Sequence, residues 1–305
     1  MALFPKRVDI DEASIRELVD MYDHAARYVR NTIFEVGRRK VTVVSVQQAR
    51  ALIAQRLTQL TQESSLWAER QMTTLYNQGQ QDAVDELRSF HDPRTDAVAA
   101  AIVASGLRLH ALHQEAAQAL VSELQTRLRD AAATMDRSAS KTLGQLLRES
   151  VTARMNEEAG VATRQQLRRS VLQAFDDNGV SALYDAAGKR WSPSVYADMV
   201  SRTLSAQARN GGMMNSLKSQ GYDLVRVSAH GAGDACREWE DSILSMTGAT
   251  PGYFTVSDAT GAGLFHVNCQ HSLDPVDPAD YPPDYLPDNL TEDQFQVLAD
   301  NAIDE

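Results

Sequence analysis

The chain has 305 residues, 43% of them hydrophobic, and a net charge of −11 at neutral pH. This length is enough for two domains of ordinary size, and the hydrophobic fraction is typical of a soluble folded protein. The longest apolar run, residues 97–104, is far below the roughly 20 residues that a membrane-spanning helix needs, and no signal peptide is recognisable at the N-terminus. We therefore expect a protein that is made in the cytoplasm and has no membrane segment.

Helical periodicity dominates the first half of the chain. Apolar residues at spacings of three and four predict one helix over residues 11–38 and a second over about 45–88. Residues 93–159 are rich in Ala and Leu and have few helix breakers, which predicts an extended hairpin or bundle. Gly106 and Gly144 are the points at which this long pattern could divide.

The second half of the chain has a mixed pattern. A short helix is predicted over residues 162–176, and another begins at Pro193, a residue that favours the first helical position. The run at residues 210–212, Asn-Gly-Gly, predicts the end of that helix. Residues 222–229 are β-branched and partly alternating, which predicts a strand, and residues 253–256 predict a shorter one.

The C-terminus carries most of the negative charge. Residues 274–305 contain ten acids and no Lys or Arg, and five of the nine prolines lie between Pro275 and Pro287. This composition predicts an extended acidic interaction arm or solubilising end that DNA phosphates would repel. We therefore predict a mainly α protein with a long helical N-terminal hairpin or bundle (1–160), a small α+β domain (161–275) and an acidic, Pro-rich tail (276–305).

Possible metal ligands concentrate in two segments of the predicted α+β domain. One contains His230 and Cys236, and the other contains His266, Cys269 and His271. Structural zinc sites take four N or S ligands, usually as closely spaced pairs from two segments. Cytoplasmic cysteines are more often thiols or metal ligands than disulfides. The set His230, Cys236, Cys269 and His271, with His266 as an alternate, is therefore a candidate zinc site that would join two loops.

Other interpretations of these residues remain open. The cysteines could be small buried hydrophobic side chains, with ordinary hydrogen bonds to the histidines, or they could form a disulfide after release from the cell. Cys236 with His266 or His271 and Asn268 could supply the thiol, base and orienting amide of a hydrolase. Four acids lie between residues 234 and 241, however, and nearby acids raise the pKa of a thiol, which disfavours this interpretation.

The sequence contains no convincing nucleic-acid motif. The basic clusters at residues 38–40 and 164–169 are small, and no aromatic residues interleave them, a pattern typical of solvated helix ends. His110 and His113 are three residues apart but lack the intervening Glu of a metalloprotease motif. We expect neither sequence-specific nucleic-acid binding nor a metalloprotease site.

An ordered set of short motifs carries a family resemblance. The motifs are Ala-Gly-Lys-Arg-Trp at 187–191, Tyr-Ala-Asp-Met-Val-Ser-Arg-Thr at 196–203, Gly-Tyr-Asp-Leu-Val at 221–225, Ser-Ala-His at 228–230, Cys236-x-x-Trp239, Gly261-x-Gly-Leu264, Asn-Cys-Gln-His-Ser at 268–272 and Pro275. Together, over residues 179–275, they resemble the C-terminal signature of phage minor capsid proteins, the Mu F-like head morphogenesis family. Many relatives differ at two points. They have a His in place of Cys236 or a Cys-x-x-Cys in place of Cys236-x-x-Trp239, and they have Arg in place of Gln270.

The resemblance implies a structural role without enzymatic turnover. Such a protein would be made in the host cytoplasm and would reside inside the capsid of a tailed phage, at the portal vertex, in low copy number, where it aids head assembly. The implied partners are the portal protein, the major capsid protein and further copies of the chain itself. The alternative function is a phage-borne cysteine hydrolase, either a capsid maturation protease or a toxin-like enzyme, that uses Cys236 and a histidine.

Overall fold

The fold is mainly α-helical, as the sequence predicts. The structure, a computed structural model, describes residues 10–39, 41–105, 110–157, 164–180, 183–184 and 190–277. Seven α-helices and five short strands lie in these residues. The predicted acidic tail lies outside the described residues from position 278 onward. Within the described part, no helix is both long enough and apolar enough to cross a membrane.

The elements follow one another along the chain in a simple order. The helices are α1 (Glu12–Arg38), α2 (Val43–Ser89), α3 (Pro93–Ser105), α4 (His110–Glu157), α5 (Arg164–Asn178), α6 (Pro193–Ser219) and α7 (Val256–Gly261). The strands are β1 (Leu183–Tyr184), β2 (Arg190–Trp191), β3 (Leu224–Val227), β4 (Ile243–Ser245) and β5 (Leu273–Pro275). Strands β1 and β2 form an antiparallel pair, and β3 is the centre of an antiparallel sheet in the order β4-β3-β5.

Residue contacts divide the described chain into two compact units. The first unit combines Glu69–Ser122 with residues 202–277, and the second combines Asp11–Ala68 with Glu123–Ser201. Each unit therefore takes segments from both halves of the chain. The predicted boundaries at residues 160 and 275 describe regions that would fold independently. Contacts alone do not test independent folding, so these boundaries stay a prediction.

The second unit is held together by long amphipathic helices. Helix α1 begins where the Asp11 carboxylate accepts hydrogen bonds from two backbone N–H groups of its first turn, at 3.0 and 3.2 Å. Its apolar face is buried as the spacing predicts, at Ile15, Leu18, Tyr22, Ala25, Val29, Ile33 and Val36. The Tyr22 hydroxyl donates to the carbonyl of Leu128 on α4 at 2.7 Å, and the Trp67 indole donates to the carbonyl of Ser14 at 3.0 Å. Aromatic polar groups are thus satisfied inside an apolar interface.

In the first unit, two glycines permit a close approach of helices α2 and α6. A Cβ on Gly79 would lie 1.9 Å from the carbonyl oxygen of Arg209, and one on Gly212 would lie 2.0 Å from that of Tyr76. The Arg209 guanidinium also contacts the Asp82 carboxylate at 2.6 Å. The predicted end of α6 at residues 210–212 is therefore wrong. The glycines stay helical because packing against α2 outweighs their low helix propensity.

Two further local predictions differ from the structure. Helix α4 runs through Gly144 without a break, although α3 and α4 are separate helices with the predicted Gly106 in the undescribed stretch between them. The short strand predicted over residues 253–256 is reduced to an isolated bridge between Thr255 and Ser245 of β4. Thr255 also forms a capping box with Asp258, which starts helix α7 at Val256.

The β3 sheet packs into an apolar cluster that includes both cysteines. Helices α2 and α3 contribute to this cluster as well as α6 and the strands, so its members come from residues 83–102 and 213–273. They include Ala83, Leu87, Val98, Ile102, Leu217, Val225, Val227, Cys236, Leu244, Leu264, Cys269 and Leu273. The small sheet therefore depends on helices that precede it by more than a hundred residues.

Candidate metal centre

The pairing of strands β3 and β5 brings the two predicted ligand segments together. Val227 at the end of β3 is paired with Leu273 at the start of β5. The next residues continue this contact, because the N–H of Ser228 donates to the carbonyl of Ser272 at 3.0 Å. In an antiparallel pair, the chain leaving one strand lies beside the chain entering the other. His230 therefore lies close to His271, with ring centroids 4.3 Å apart.

Cys236, Cys269 and His271 form a buried triad of possible ligand atoms. Cys236 lies in a 3₁₀ helix, Ala235–Trp239, which begins where the Asp234 carboxylate accepts a hydrogen bond from the N–H of Cys236. The two Sγ atoms are 3.7 Å apart, and Sγ of Cys269 is 3.2 Å from Nδ1 of His271. The exposed fractions of these residues are 0%, 8% and 1% in sequence order. No disulfide joins these two cysteines in the structure.

Glu240 links His271 to His230 and was not among the predicted ligands. Its Oε1 lies 3.4 Å from Nε2 of His271 and 4.0 Å from Nδ1 of His230. The same oxygen accepts backbone hydrogen bonds from Ala232 at 2.8 Å and from His230 at 3.0 Å. These backbone bonds, that of Ala232 first, lower the pKa of Glu240 to about 2. Glu240 is therefore an anchored carboxylate beside the triad.

His266, the alternate ligand, lies on another side of Cys236. Its Nε2 is 3.0 Å from the Asp234 carboxylate, and its Nδ1 is 2.7 Å from the carbonyl oxygen of Val267. The structure thus distributes the five predicted residues over three overlapping groups, each with ligand atoms within 4.8 Å of one another. These groups are Cys236, Cys269 and His271; His230, Glu240 and His271; and Asp234, Cys236 and His266.

Burial shifts the pKa values of Cys236 and His271 in opposite directions. Burial, and then the neighbouring Cys269, raise the pKa of Cys236 to about 12. Burial also lowers the pKa of His271, and the nearby His230 adds to this effect. Without a cation, the thiol is protonated at neutral pH and shielded from solvent, so it is a poor nucleophile. The neutral imidazole and paired sulfurs are better suited to holding a soft metal.

Asn268, proposed above as an orienting amide, has a different position in the structure. It is exposed and adopts a left-handed backbone conformation with φ of 64°. Asn tolerates this conformation better than most residues. Its N–H donates to the Thr203 hydroxyl at 3.2 Å. Asn268 therefore shapes the turn that directs Cys269 inward.

Asp223 supports the loop after β4 and was also missed by the sequence analysis. Its buried carboxylate accepts hydrogen bonds from the hydroxyls of Ser245, Thr247 and Thr250 at 2.5–2.6 Å and from two backbone N–H groups of the loop. Burial alone would raise the pKa of Asp223, but these hydrogen bonds outweigh it and lower the pKa. An acid at the start of a predicted strand, followed about 25 residues later by Ser and Thr, is too weak a signal to find this network.

The comparisons with known proteins match the chain to a family described as phage minor capsid protein 2, over residues 12–292. No curated protein and no solved structure matched the chain. The family match extends well beyond residues 179–275, where the sequence resemblance lies, and includes the long N-terminal helices. The predicted relationship to phage minor capsid proteins is confirmed, while the narrower Mu F-like assignment stays a prediction. Because the match covers nearly the whole chain, the protein belongs to the phage minor capsid protein 2 family and is a structural component of the bacteriophage virion.

Proposed function

We propose that the protein is a low-copy component of a tailed-phage head, located inside the capsid at the portal vertex, where it aids head assembly. The observation that carries this proposal is the family match over residues 12–292, because it includes both the long helices and the candidate metal centre. The site itself does not favour turnover, since its one candidate nucleophile, Cys236, is fully buried. The proposed partners are the portal protein and the major capsid protein, with self-association as a further contact.

Three exposed apolar side chains form a discontinuous stripe on one side of helix α2, with exposed glutamines between them, and support docking to a partner helix. Val44, Leu52 and Leu66 are 61%, 48% and 59% exposed. An α-helix turns by about 100° and rises about 1.5 Å per residue, so these side chains lie within about 80° of one another along about 33 Å of the helix. Exposed apolar side chains in a row are typical of a protein–protein contact, whereas isolated ones are ordinary.

The charge distribution favours a protein partner over DNA. Outside residues 274–305, the chain has 31 acids and 30 bases, so it offers little net attraction for phosphates. Helices that enter a stable complex with other helices need an apolar face and few charges at the centre of the contact. We therefore propose that the stripe at Val44, Leu52 and Leu66 packs on helices of the portal protein.

A charge-insertion experiment tests this docking. The variant carrying Val44→Lys, Leu52→Lys and Leu66→Lys should fold, because these side chains are exposed, but should be depleted from assembled particles. A matched variant with Val103→Lys, Val151→Lys and Val195→Lys changes residues that are 59%, 51% and 51% exposed elsewhere in the chain. This second variant should enter particles normally. The measurement is the amount of the protein per purified particle, with circular dichroism of each variant as the folding check.

Cryo-electron microscopy without imposed symmetry tests the location. Particles from phage lacking the gene should lose density at the inner side of the portal vertex and should assemble fewer complete heads. Unchanged portal-vertex density, together with normal head yield, would contradict the proposal. Equal incorporation of the two lysine variants would contradict the docking surface while leaving the virion assignment intact.

A further inference from the structure

We propose that Cys236, Cys269, His271 and His230 bind one structural zinc ion that joins the 3₁₀ helix to the loop before β5. The separation of the sulfurs is the first support. Two thiolates bound to one tetrahedral zinc at about 2.3 Å lie about 3.8 Å apart, and the observed distance is 3.7 Å. The two sulfurs of a disulfide are about 2.05 Å apart. Two thiols that only pack against each other would not need an imidazole nitrogen beside them.

The third ligand, His271, already faces the sulfurs. Its Nδ1 is 3.2 Å from Sγ of Cys269, whereas a thiolate and an imidazole on the same tetrahedral zinc are about 3.6 Å apart. The two atoms would therefore separate by about 0.4 Å on binding the metal. Such a shift is small for side chains at the ends of two adjacent loops.

The surroundings of His271 resemble those of a metal ligand. Ligating histidines usually donate their second ring N–H to a carboxylate or carbonyl, which fixes the orientation of the ring. Nε2 of His271 lies 3.4 Å from Glu240, on the opposite edge of the ring from Cys269. Glu240 is itself fixed by two backbone N–H groups. The carboxylate is therefore a positioning group that holds Nδ1 toward the sulfurs.

His266 has a ring nitrogen within 4.8 Å of Sγ of Cys236, but burial and an unsatisfied ring nitrogen favour His230 as the fourth ligand. The side chain of His230 is only 9% exposed, and its Nε2 is buried with no hydrogen-bond partner among the described residues. A buried polar atom without a partner is costly, and a metal ion would satisfy it. His266, in contrast, is 36% exposed and both of its ring nitrogens have partners. The ring of His230 now lies against Glu240 and His271, so it would rotate toward the sulfurs to complete the tetrahedron.

The proposed site balances its own charge. Two thiolates neutralise the charge of a zinc ion, so the apolar cluster around Cys236 and Cys269 would not hold an unpaired charge. On binding, each thiol releases its proton to solvent and its sulfur donates an electron pair to zinc. Because the ligands come from loops 33 residues apart, the unfolded chain does not present them together, so metal binding would stabilise the folded sheet.

Metal analysis of the full-length protein tests the proposal directly. Protein purified under reducing conditions without added metal should contain about one zinc per chain. After zinc removal, titration with Co²⁺ should produce the intense visible bands of tetrahedral cobalt and the sulfur-to-cobalt charge-transfer band of two thiolates. Absence of bound zinc, together with an octahedral or unchanged cobalt spectrum, would overturn the proposal. In a parallel preparation without reductant, two thiols that become reactive after addition of reductant and not of chelator would overturn it in favour of a disulfide.

Single substitutions identify the ligands. Cys236→Ser, Cys269→Ser and His271→Gln should each abolish stoichiometric zinc, and His230→Gln should increase the rate of zinc loss to a chelator at least tenfold. His266→Gln is the matched control and should retain zinc like the unchanged protein. Loss of zinc in His266→Gln but not in His230→Gln would overturn His230 as the fourth ligand. Since the serine variants could unfold, the cobalt spectrum of the unchanged protein is the measurement that decides.

Glu240→Gln tests the positioning group separately. The amide keeps the size of the side chain but removes the carboxylate charge that orients His271. Loss of a partner of this kind typically weakens metal affinity by about 10–100-fold. The cobalt spectrum of the variant should still show two sulfur ligands, while its affinity for cobalt should fall. Unchanged affinity would show that Glu240 has only a structural role in the loop at residues 230–232.

Discussion

The two compact units of the chain are stabilised in different ways. In the unit formed by Asp11–Ala68 and Glu123–Ser201, long helices bury repeated apolar faces, so many similar contacts share the stabilisation. In the unit that contains the β3 sheet, the strands have only three or four residues each, and single polar side chains such as Asp223 and Glu240 hold whole loops. Single substitutions should therefore have larger effects around the sheet, except where a helical contact depends on one residue.

The largest effect is expected from separating the sheet from its supporting helices. A fragment comprising residues 161–305 lacks Ala83, Leu87, Val98 and Ile102, which belong to the same apolar cluster as β3. Removal of these buried side chains leaves much of the cluster open to solvent. We expect the fragment to show no cooperative thermal unfolding, whereas the full-length chain should. A cooperative transition in the fragment would support the predicted domain boundary at residue 160.

A large effect is also expected at the glycine contact between α2 and α6. Gly79→Ala and Gly212→Ala each place a methyl group about 2 Å from a backbone carbonyl oxygen, and the backbone cannot move away without separating the helices. Overpacking of this kind costs about 3 kcal/mol. Gly211→Ala is the matched control, because its nearest contact would be an ordinary 3.8 Å to the Tyr76 ring. Denaturant unfolding of the three variants measures the difference, and equal stability would show that the helices are not in such close contact.

Loss of the Asp223 carboxylate should destabilise the sheet by about 2–3 kcal/mol, the magnitude for hydrogen bonds to a charged group. Asp223→Asn keeps the shape but replaces one acceptor oxygen with a donor that faces hydroxyls and N–H groups. The control is Asp85→Asn. Asp85 is exposed, and its carboxylate accepts a hydrogen bond from the Gln81 side chain. Chemical unfolding at neutral pH compares the two variants. A loss no greater for Asp223→Asn than for Asp85→Asn would show that the network is unimportant.

The pH dependence of this network follows from the lowered pKa of Asp223. The folded protein binds the proton less tightly than the unfolded chain, whose Asp pKa is about 3.9. The stabilisation is therefore fully present above about pH 4 and is lost as the pH falls through the lower folded pKa. The difference in stability between the unchanged protein and Asp223→Asn should shrink over that acidic range. A stability difference between the two proteins that stays constant down to pH 2 would contradict the lowered pKa of Asp223.

The smallest effect is expected from removal of the acidic tail, provided that Val276 is kept. Val276 is buried, with 1% exposure, and its carbonyl accepts a hydrogen bond from the Tyr222 hydroxyl. A chain that ends after Asp277 should unfold within about 0.5 kcal/mol of the full-length protein. A chain that ends after Pro275 should lose about 1–2 kcal/mol more, because it lacks a buried side chain and a buried hydrogen bond. Equal stability of the two truncations would show that the last strand does not depend on Val276.

Local periodicity was sufficient to predict most helices. The spacing of Ile15, Leu18 and Tyr22 repeats along α1, and the buried face is the predicted one. The same reasoning predicted α2 to within two residues at its N-terminus and one at its C-terminus. The predicted mainly α class followed from these helices, because each one needs only its own sequence to specify which face is buried.

Tertiary contacts decided the features that the sequence misrepresented. Asn210, Gly211 and Gly212 have the composition of a helix end, yet α6 continues because Gly212 packs against the backbone of α2. Thr255 lies in a β-like run, yet its hydroxyl caps α7. At Gly212 a tertiary contact stabilises a conformation that local propensity disfavours, and no window of a few residues contains that information. The capping box of Thr255 with Asp258, in contrast, is a local signal of two residues three positions apart.

The candidate metal centre also combines features that the sequence predicts with features that only the tertiary structure determines. The residue types and their two segments are evident in the sequence, because both cysteines and three of the seven histidines lie within residues 230–271. The sequence by itself thus determined the helices, the family and the set of candidate ligands. Only the tertiary structure decided that Cys236, Cys269 and His271 meet, that Glu240 lies beside the His271 ring and that His266 contacts Asp234. The physical reason is that the pairing of β3 with β5 joins residues distant in sequence, and that pairing depends on a core to which α2 and α3 contribute.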